Sequence, residues 1–325
     1  MKSFSREFWV GLASALGVVV LWTTFHLVSR TGVRSALTPF DLSVLRFGIG
    51  ALVLLPFAFR LGLGHLKFWQ AAVLAAFAGP GFALFAFPGF VFAPVAHAGA
   101  ILSGTVALFT ALFGRLFLRD RLSRLQIGGL AALSAGVAFL IGDGFTEGPA
   151  GQWIGDLLFL IAAANWAVYG LLVRSWKVDA LRGTMITAIL TAIVYLPVHF
   201  AFLPSNLTAI PLTDLVVQAA YHGIFGMIVA MLLFTRAVVA LGPALTSIIV
   251  ASVPATSSVA GWFILGEALT GPTIGGVVLV TAGIIGAVFG AQKLRAATPQ
   301  PAAAQTAGPA AGGMVESANN SIRKP

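Results

Sequence analysis

One arginine within an apolar segment is the residue of this chain best suited to chemistry. Arg46 lies in the apolar run 40–59, where a charge costs roughly 2.5–3.5 kcal/mol on membrane-insertion scales. Its side chain has two interpretations. It extends to the lipid headgroups, or it faces a cavity between helices and binds the carboxylate or phosphate of a substrate. The second interpretation makes Arg46 the first candidate binding residue.

Histidine and aromatic side chains in other apolar runs can complete such a site. Histidine transfers protons near neutral pH, and Trp and Tyr rings suit an apolar or aromatic substrate, or an ammonium group over a ring face. Each of these residues can equally make a structural contact between helices. Together with Arg46, the candidate substrate-binding residues are Trp22, His26, Asn165, Trp166, Tyr169, Tyr221 and His222.

Acidic residues are scarce and lie mostly at the ends of the apolar runs. Asp156 is the only acid that we expect to reach a cavity. Asp120 and Glu267 are expected to cap the following helices or to pair with Arg121 or Arg124. Because the sequence shows no phosphate-binding loop, metal-ligand cluster or catalytic triad, it predicts no cofactor, no metal site and no enzymatic activity.

The composition explains why so few residues are candidates. Hydrophobic residues make up 58% of the 325 residues and charged residues only 9%, whereas soluble domains carry about 25% charged residues. The chain therefore cannot be a soluble enzyme, a disordered protein or a nucleic-acid-binding domain. An integral membrane protein in contact with the lipid bilayer is the remaining class.

Ten apolar runs are each long enough, or nearly so, to cross the roughly 30 Å of bilayer hydrocarbon as a helix. The sequence thus predicts an all-α membrane protein with ten transmembrane helices. A tail over residues 296–325, rich in Ala, Pro, Gln and Gly, is expected to be disordered and cytoplasmic. The runs are 8–29, 40–59, 68–90, 96–117, 124–142, 151–173, 182–203, 212–235, 243–265 and 271–291.

The basic residues predict the orientation of these helices. The net charge is +9, and with the N-terminus inside, nearly all of the 19 Lys and Arg residues fall in cytoplasmic segments. The exceptions are Arg30 and Arg34 outside and Arg46 within a run. We therefore expect a multi-pass protein of the inner (cytoplasmic) membrane with both termini in the cytoplasm.

Two halves of the chain repeat each other. Trp22 and Arg30 close the first run with the same spacing as Trp166 and Arg174 in the sixth. Residues 120–136 and 267–283 share an acid, Leu, hydroxyl, double-Gly and single-Gly pattern at a constant offset of 147 residues. Five spans in each half would make the second half run opposite to the first, around a central cavity. The predicted repeats are residues 8–142 and 151–291.

Several of these motifs resemble the EamA-domain transporters of the drug/metabolite transporter superfamily. Residues 265–276, with Pro254 before them, look like the C-terminal half of that family, and Pro39, Arg46 and Trp22 are similar to its N-terminal half. The first repeat departs from the pattern, because Asp120 stands where the family usually has Glu. The resemblance implies a ten-helix exporter of small metabolites.

The residues and the resemblance together predict a secondary transporter that exports small metabolites by alternating access. Amino acids with aromatic or apolar side chains are the leading substrate class, with proton or other ion coupling as a further partner. The first alternative is a transporter of anionic metabolites such as sugar-phosphates, which would need two or more cations in the site. The second is a membrane enzyme or a non-transporting scaffold.

Overall fold

The computed structural model describes residues 5–146 and 148–297, and this part of the chain folds as helices without strands. Each helix is joined to the next by a short connection. The helices are α1 (Arg6–Ser35), α2 (Pro39–Leu61), α3 (Phe68–Phe92), α4 (Val95–Phe117), α5 (Arg124–Thr146), α6 (Gln152–Ser175), α7 (Ala180–Phe202), α8 (212–241), α9 (243–265) and α10 (Gly271–Ala297).

A single glycine separates α8 from α9. The apolar helical stretch Leu212–Val250 contains Gly242 with φ 81° and ψ 157°, a conformation outside the helical region that a residue without Cβ adopts at low cost. The chain turns there, and α9 continues after a second interruption at Ala251 and Ser252 as Val253–Leu265. Among the described residues this gives the ten helices that the sequence predicts.

The fifth helix of each half packs against its counterpart through glycines. A Cβ atom on Gly129 of α5 would lie 2.7 Å from the carbonyl oxygen of Gly283 in α10. A Cβ atom on Gly136 would lie 2.7 Å from that of Gly276. The backbones therefore approach as closely as small residues allow, as in other membrane helix pairs. The glycines of the sequence repeat form this seam.

The turns after α4 and α9 have the same local structure. The backbone N–H of Asp120 donates to the carbonyl of Gly114 at 3.1 Å, and that of Glu267 donates to the carbonyl of Gly261 at 3.2 Å. The residue before each acid has positive φ, 58° and 65° respectively. The repeat is therefore visible in backbone geometry as well as in sequence.

Hydroxyl side chains, rather than these acids, cap the helices that follow the two turns. Ser123 Oγ accepts from the backbone N–H of Gln126 at 3.1 Å, and Thr270 Oγ1 accepts from that of Thr273 at 3.1 Å. The expectation that the acids act as caps is wrong, because the hydroxyls occupy the N-cap positions of α5 and α10.

Three segments of the described part of the chain are π-helical: Leu45–Ile49 in α2, Ala98–Leu102 in α4 and Tyr221–Val229 in α8. Segments of this kind widen a helix by one residue per turn and are frequent at functional sites. The π-helical segment of α2 contains Arg46. Of the predicted tail 296–325, residues 296 and 297 belong to α10 rather than to a disordered segment, and the rest, from residue 298 onward, lies outside the described residues.

Candidate functional site

A cavity of about 500 Å³ lies between the two halves of the bundle. Its walls come from α1, α2, α3, α4, α6, α7 and α8, and most of the lining side chains are aromatic or aliphatic. Five of the eight residues predicted from the sequence lie on this wall. They are Trp22, His26, Arg46, Trp166 and Tyr169.

Arg46 places a buried cation at the cavity wall. Its side chain is only 5% exposed, and Nε and Nη1 have no hydrogen-bond partner among the described residues. The guanidinium carbon lies 5.6 Å from the ring centroid of Phe25 and 5.7 Å from that of Phe82, within the range of cation–π attraction. The aromatic rings offset part of the cost of burying the charge, and the buried Nε and Nη1 remain without a hydrogen-bond partner among the described residues.

His26 links three helices at the cavity wall. Its Nδ1 lies 2.9 Å from Ser257 Oγ of α9, and its Nε2 lies 3.3 Å from Ser103 Oγ of α4. A neutral imidazole can donate at one nitrogen and accept at the other, so both contacts can form together. Ser103 also lines the cavity. Sequence reasoning missed both serines, because a hydroxyl in a membrane helix usually bonds to its own backbone.

The two repeat-related tryptophans flank the cavity with other aromatic rings. Trp22 stacks on Phe234 of α8 at 5.8 Å between ring centroids. Trp166 lies 5.1 Å from Phe82 and 5.3 Å from Tyr169. Offset and tilted aromatic contacts of this kind present both ring faces and ring edges to a bound molecule.

Three predicted residues do not line the cavity. Tyr221 donates its hydroxyl to the carbonyl of Leu21 at 2.5 Å, tying α8 to α1. His222 is fully buried, with Nε2 3.1 Å from Gln218 Oε1. Asn165 donates from Nδ2 to the carbonyl of Ile161, one turn earlier in its own helix, at 2.9 Å. The structure gives these three side chains contacts between or within helices.

At one end of the bundle, called the Glu267 end, a buried ion pair joins α1 to the turn after α9. Arg30 Nε lies 2.9 Å from Glu267 Oε1, and both side chains are almost fully buried. Arg34 Nη2 lies 2.9 Å from the same oxygen. Arg30 Nη1 also donates to the carbonyl of Phe90 in α3, and Glu267 Oε2 accepts from the backbone N–H of Val95 at 2.7 Å.

At the opposite end, called the Asp120 end, the equivalent residues form an exposed pair. Arg174 Nη1 and Nη2 donate to the two carboxylate oxygens of Asp120 at 2.7 and 2.9 Å. Their side chains are 55% and 33% exposed, against 10% and 6% for Arg30 and Glu267. Each arginine therefore pairs with the acid of the other half, a pairing that the sequence analysis did not predict.

The polar groups beyond the cavity at the Glu267 end pair among themselves. Asp156, which was expected to reach the cavity, does not line it: its Oδ1 lies 2.9 Å from His97 Nδ1. Asp143 of α5 lies on the other side of His97. The sequence analysis missed Asp143 because it lies just beyond the fifth apolar run. Similarly, His199 Nε2 lies 3.4 Å from Asp41 Oδ1.

Comparison with known proteins agrees with this architecture. A family model described as the EamA-like transporter family matches residues 9–142 and, a second time, residues 153–289. A solved crystal structure, described only as that of a protein, superposes with a TM-score of 0.60 at 22% identity, covering 91% of this chain and 100% of that one. That likeness supports the fold alone.

Two curated relatives carry transporter names. The uncharacterized inner membrane transporter YedA of Escherichia coli (strain K12) is 30% identical over 283 residues, which cover 81% of this chain and 88% of YedA. The uncharacterized transporter YyaM of Bacillus subtilis (strain 168) is 26% identical over 272 residues, with the same two coverages. By the two matches of the family model, this multi-pass membrane protein belongs to the EamA-like transporter family.

Proposed function

We propose that the protein is a secondary transporter that exports amino acids with aromatic or apolar side chains across the cytoplasmic membrane by alternating access. The observation that carries this proposal is Arg46, a buried guanidinium with two unpartnered donor nitrogens, in the wall of a cavity lined mostly by rings and aliphatic chains. A carboxylate is the natural partner of these donors, and the apolar wall suits the rest of such a substrate.

The rest of the lining can accommodate an ammonium group. Among the described lining residues none is an acid, so an ammonium group would rest on aromatic faces such as those of Trp22 and Trp166. Thr184 and Thr187 also line the cavity. This arrangement supports a zwitterion held at its carboxylate by Arg46.

The two ends of the bundle support alternating access. The buried Arg30–Glu267 pair closes one end, and Phe90, which is fully buried, lies beneath it. The cavity lining instead extends toward the Asp120 end, to Ala180 at the start of α7 and to Val239, which is 71% exposed. A cavity that extends toward one end of the bundle and is closed at the other is the arrangement expected for one of two states in a transport cycle.

Orientation follows from the charge distribution. With the basic segments on the inside, the Asp120 end faces the cytoplasm and both termini are cytoplasmic. A substrate exported by the protein would then enter the cavity at the Asp120 end. Fusion of a reporter that is active on only one side of the membrane, placed directly after α10, tests this orientation.

The second candidate function, transport of sugar-phosphates, has less support from the site. Arg46 is the only Lys or Arg among the described lining residues, whereas recognition of a doubly charged phosphate is expected to use two or more cations. Competition by a sugar-phosphate in the assay below would favour this candidate over an amino-acid substrate.

The test is counterflow uptake of radiolabelled amino acids into proteoliposomes that contain the purified protein. Phenylalanine, tryptophan and leucine are expected to accumulate, and Arg46→Gln is expected to reduce uptake about 10- to 100-fold, because a hydrogen bond to a charged group contributes roughly 1.5–3 kcal/mol. Arg60→Gln, on the exposed end of the same helix, is the matched control and should leave uptake unchanged.

Two results would contradict the proposal. If the unmodified protein accumulates none of the amino acids in a full panel, the amino-acid substrate is wrong. If uptake survives in Arg46→Gln at the level of Arg60→Gln, the carboxylate is bound elsewhere and the assigned role of Arg46 is wrong.

A further inference from the structure

A cluster of ionisable side chains lies at the Glu267 end, outside the cavity. His97 of α4 stands between Asp156 of α6 and Asp143 of α5, and all three side chains are at most 3% exposed. His97 Nδ1 lies 2.9 Å from Asp156 Oδ1, and Nε2 lies 3.6 Å from Asp143 Oδ2. These three residues and Gln152, whose Nε2 lies 3.3 Å from His97 Nε2, are called the His97 cluster.

The charges of the His97 cluster do not balance without an added proton. Two carboxylates face one imidazole, so the cluster carries at least one net negative charge even when His97 is an imidazolium. Within the described residues, neither carboxylate pairs with Lys or Arg, and Asp156 Oδ2 is buried without a hydrogen-bond partner. Burial of an uncompensated charge is costly, so we expect the unpartnered Asp156 Oδ2 to bind a proton.

Gln152 can accommodate both protonation states of His97. When the imidazole is neutral with its proton on Nδ1, Nε2 accepts a hydrogen bond from the Gln152 amide nitrogen. When Nε2 is also protonated, rotation of the amide presents its oxygen as an acceptor instead. The cluster can therefore gain or lose a proton without leaving an imidazole nitrogen unsatisfied.

The His97 cluster contacts two segments at the Glu267 end: the start of α10 and the start of α4. Asp143 accepts hydrogen bonds from Thr270 Oγ1 at 3.0 Å and Thr273 Oγ1 at 2.9 Å, which fixes the start of α10. Thr270 belongs to the same turn as Glu267. His97 follows Val95, whose backbone N–H donates to Glu267 Oε2. The cluster thus contacts the two segments that hold Glu267 in place.

We propose that the His97 cluster is the proton-binding site that couples the transport cycle to protons. This inference rests on the proposed transport function, to which it adds the coupled ion. In the closed state the cluster is buried and favours its protonated, less charged form. Loss of protons leaves two ionised carboxylates in the closed state, which favours the open state in which water reaches them. Acid therefore favours closure of the Glu267 end, and alkaline pH favours its opening.

The other charged groups around the His97 cluster do not reverse this sign. The nearest ones are Arg30, Arg34 and Glu267; the two arginines share one carboxylate, so this group carries a net charge of +1, which is smaller than the two negative charges of the ionised Asp143 and Asp156. From α10, the neighbours are the neutral hydroxyls of Thr270 and Thr273. The charged groups that face His97 are therefore the two aspartates.

The experiment uses the purified full-length protein in lipid nanodiscs without substrate. Because the chain has no cysteine, Ser35→Cys and Ala268→Cys introduce the only two thiols, both on exposed positions at the Glu267 end, for a pair of spin labels. The distance between the labels is expected to become longer when the pH is raised from about 5 to about 8. His97→Gln and Asp156→Asn should each abolish the shift, and Asp214→Asn, an exposed acid at the same end, should preserve it.

Infrared difference spectra between acid and alkaline samples give an independent measurement. The carbonyl band of a protonated carboxylic acid should appear on acidification and disappear in Asp156→Asn. If that variant does not fold, labelling the unmodified protein with ¹³C-aspartate must shift the same band. A distance that does not change with pH, or a band that ¹³C-aspartate does not shift, would overturn the proton site. Neither result depends on a substrate, so failure of the amino-acid assay is distinguishable from failure of this inference.

Discussion

Arg30 and Glu267 meet at 2.9 Å although they lie in opposite halves of the chain, and their repeat equivalents, Arg174 and Asp120, meet at the other end of the bundle. One pair is buried beneath helix ends and bound to backbone groups of α3 and α4, whereas the other is half exposed. The same contact is thus made twice, in two different surroundings. Because of this difference in burial, we expect loss of the Arg30–Glu267 pair to cost more free energy than loss of the Arg174–Asp120 pair.

Substitution of Glu267 by glutamine is expected to open the Glu267 end. The change leaves the buried Arg30 side chain, and the partly exposed Arg34, without their carboxylate, and removal of one partner of a buried ion pair costs about 3–5 kcal/mol. Ala86→Cys places a thiol at a fully buried position of α3. The rate at which a membrane-impermeant maleimide modifies it should rise about tenfold or more in Glu267→Gln, since each 1.4 kcal/mol is a factor of ten.

Asp120→Asn is the matched control for this measurement, because exposed ion pairs contribute only about 0–1 kcal/mol. It should leave the modification rate of the same thiol within about twofold. Equal acceleration by both variants would mean that the Arg30–Glu267 pair does not hold this end closed.

Two adjacent glycines of α5 are expected to respond differently to alanine. A Cβ atom on Gly129 would lie 2.3 Å from the backbone nitrogen of Ala287 in α10, whereas one on Gly128 has no atom within 4 Å. Gly129→Ala should lower the free energy of unfolding by about 1–3 kcal/mol through overpacking. Gly128→Ala should be neutral or slightly stabilising, because alanine favours helix by about 1 kcal/mol over glycine.

Thermal unfolding of both variants in detergent, followed by tryptophan fluorescence, measures the difference. Similar melting temperatures for the two variants would show that α5 and α10 separate at this point at little cost. That result would contradict the close packing of the seam.

Trp166 is expected to favour aromatic substrates over aliphatic ones. Its ring contacts Phe82 and Tyr169 on the cavity wall, and an aromatic pair contributes about 0.5–1.5 kcal/mol beyond burial. Trp166→Leu should raise the half-saturating concentration of phenylalanine up to about tenfold and change that of leucine less. Trp153→Leu, which alters a tryptophan stacked on Phe145 away from the cavity, is the control.

A parallel loss for phenylalanine and leucine in Trp166→Leu would contradict a direct contact between this ring and the substrate. It would instead indicate that the indole only supports the wall of the cavity.

Much of the fold could be predicted because the bilayer constrains it strongly. Apolar runs long enough to span hydrocarbon must be helical, and the repeated glycines and acids gave the duplication. The sequence could not show whether Arg46 faces a cavity or extends to the lipid headgroups. Both arrangements place an arginine near one end of an apolar run. The side-chain partners depend on which helices become neighbours, and helix order in a bundle is not encoded in run lengths.

Particular residues show where that limit falls. Arg30 and Glu267 were both visible as members of the repeat, yet their pairing across the halves follows only from the three-dimensional arrangement. Asp143 was missed because it lies just beyond its apolar run, and its importance comes from His97, a residue of another helix. Ser103 and Ser257 carry no signal that distinguishes them from other hydroxyls in membrane helices.

The glycine seam between α5 and α10 has a consequence for biosynthesis. The surface of α5 that carries Gly129 and Gly136 packs against α10, a helix that is synthesised much later than α5. Before α10 is inserted, this face of α5 must contact lipid or a membrane chaperone. Because glycine has no side chain, the backbone of this face is more exposed than the backbone of a leucine-rich face. Neither half can therefore complete its packing alone, and the N-terminal five helices are expected to remain a substrate for quality-control proteases until the whole chain has been inserted.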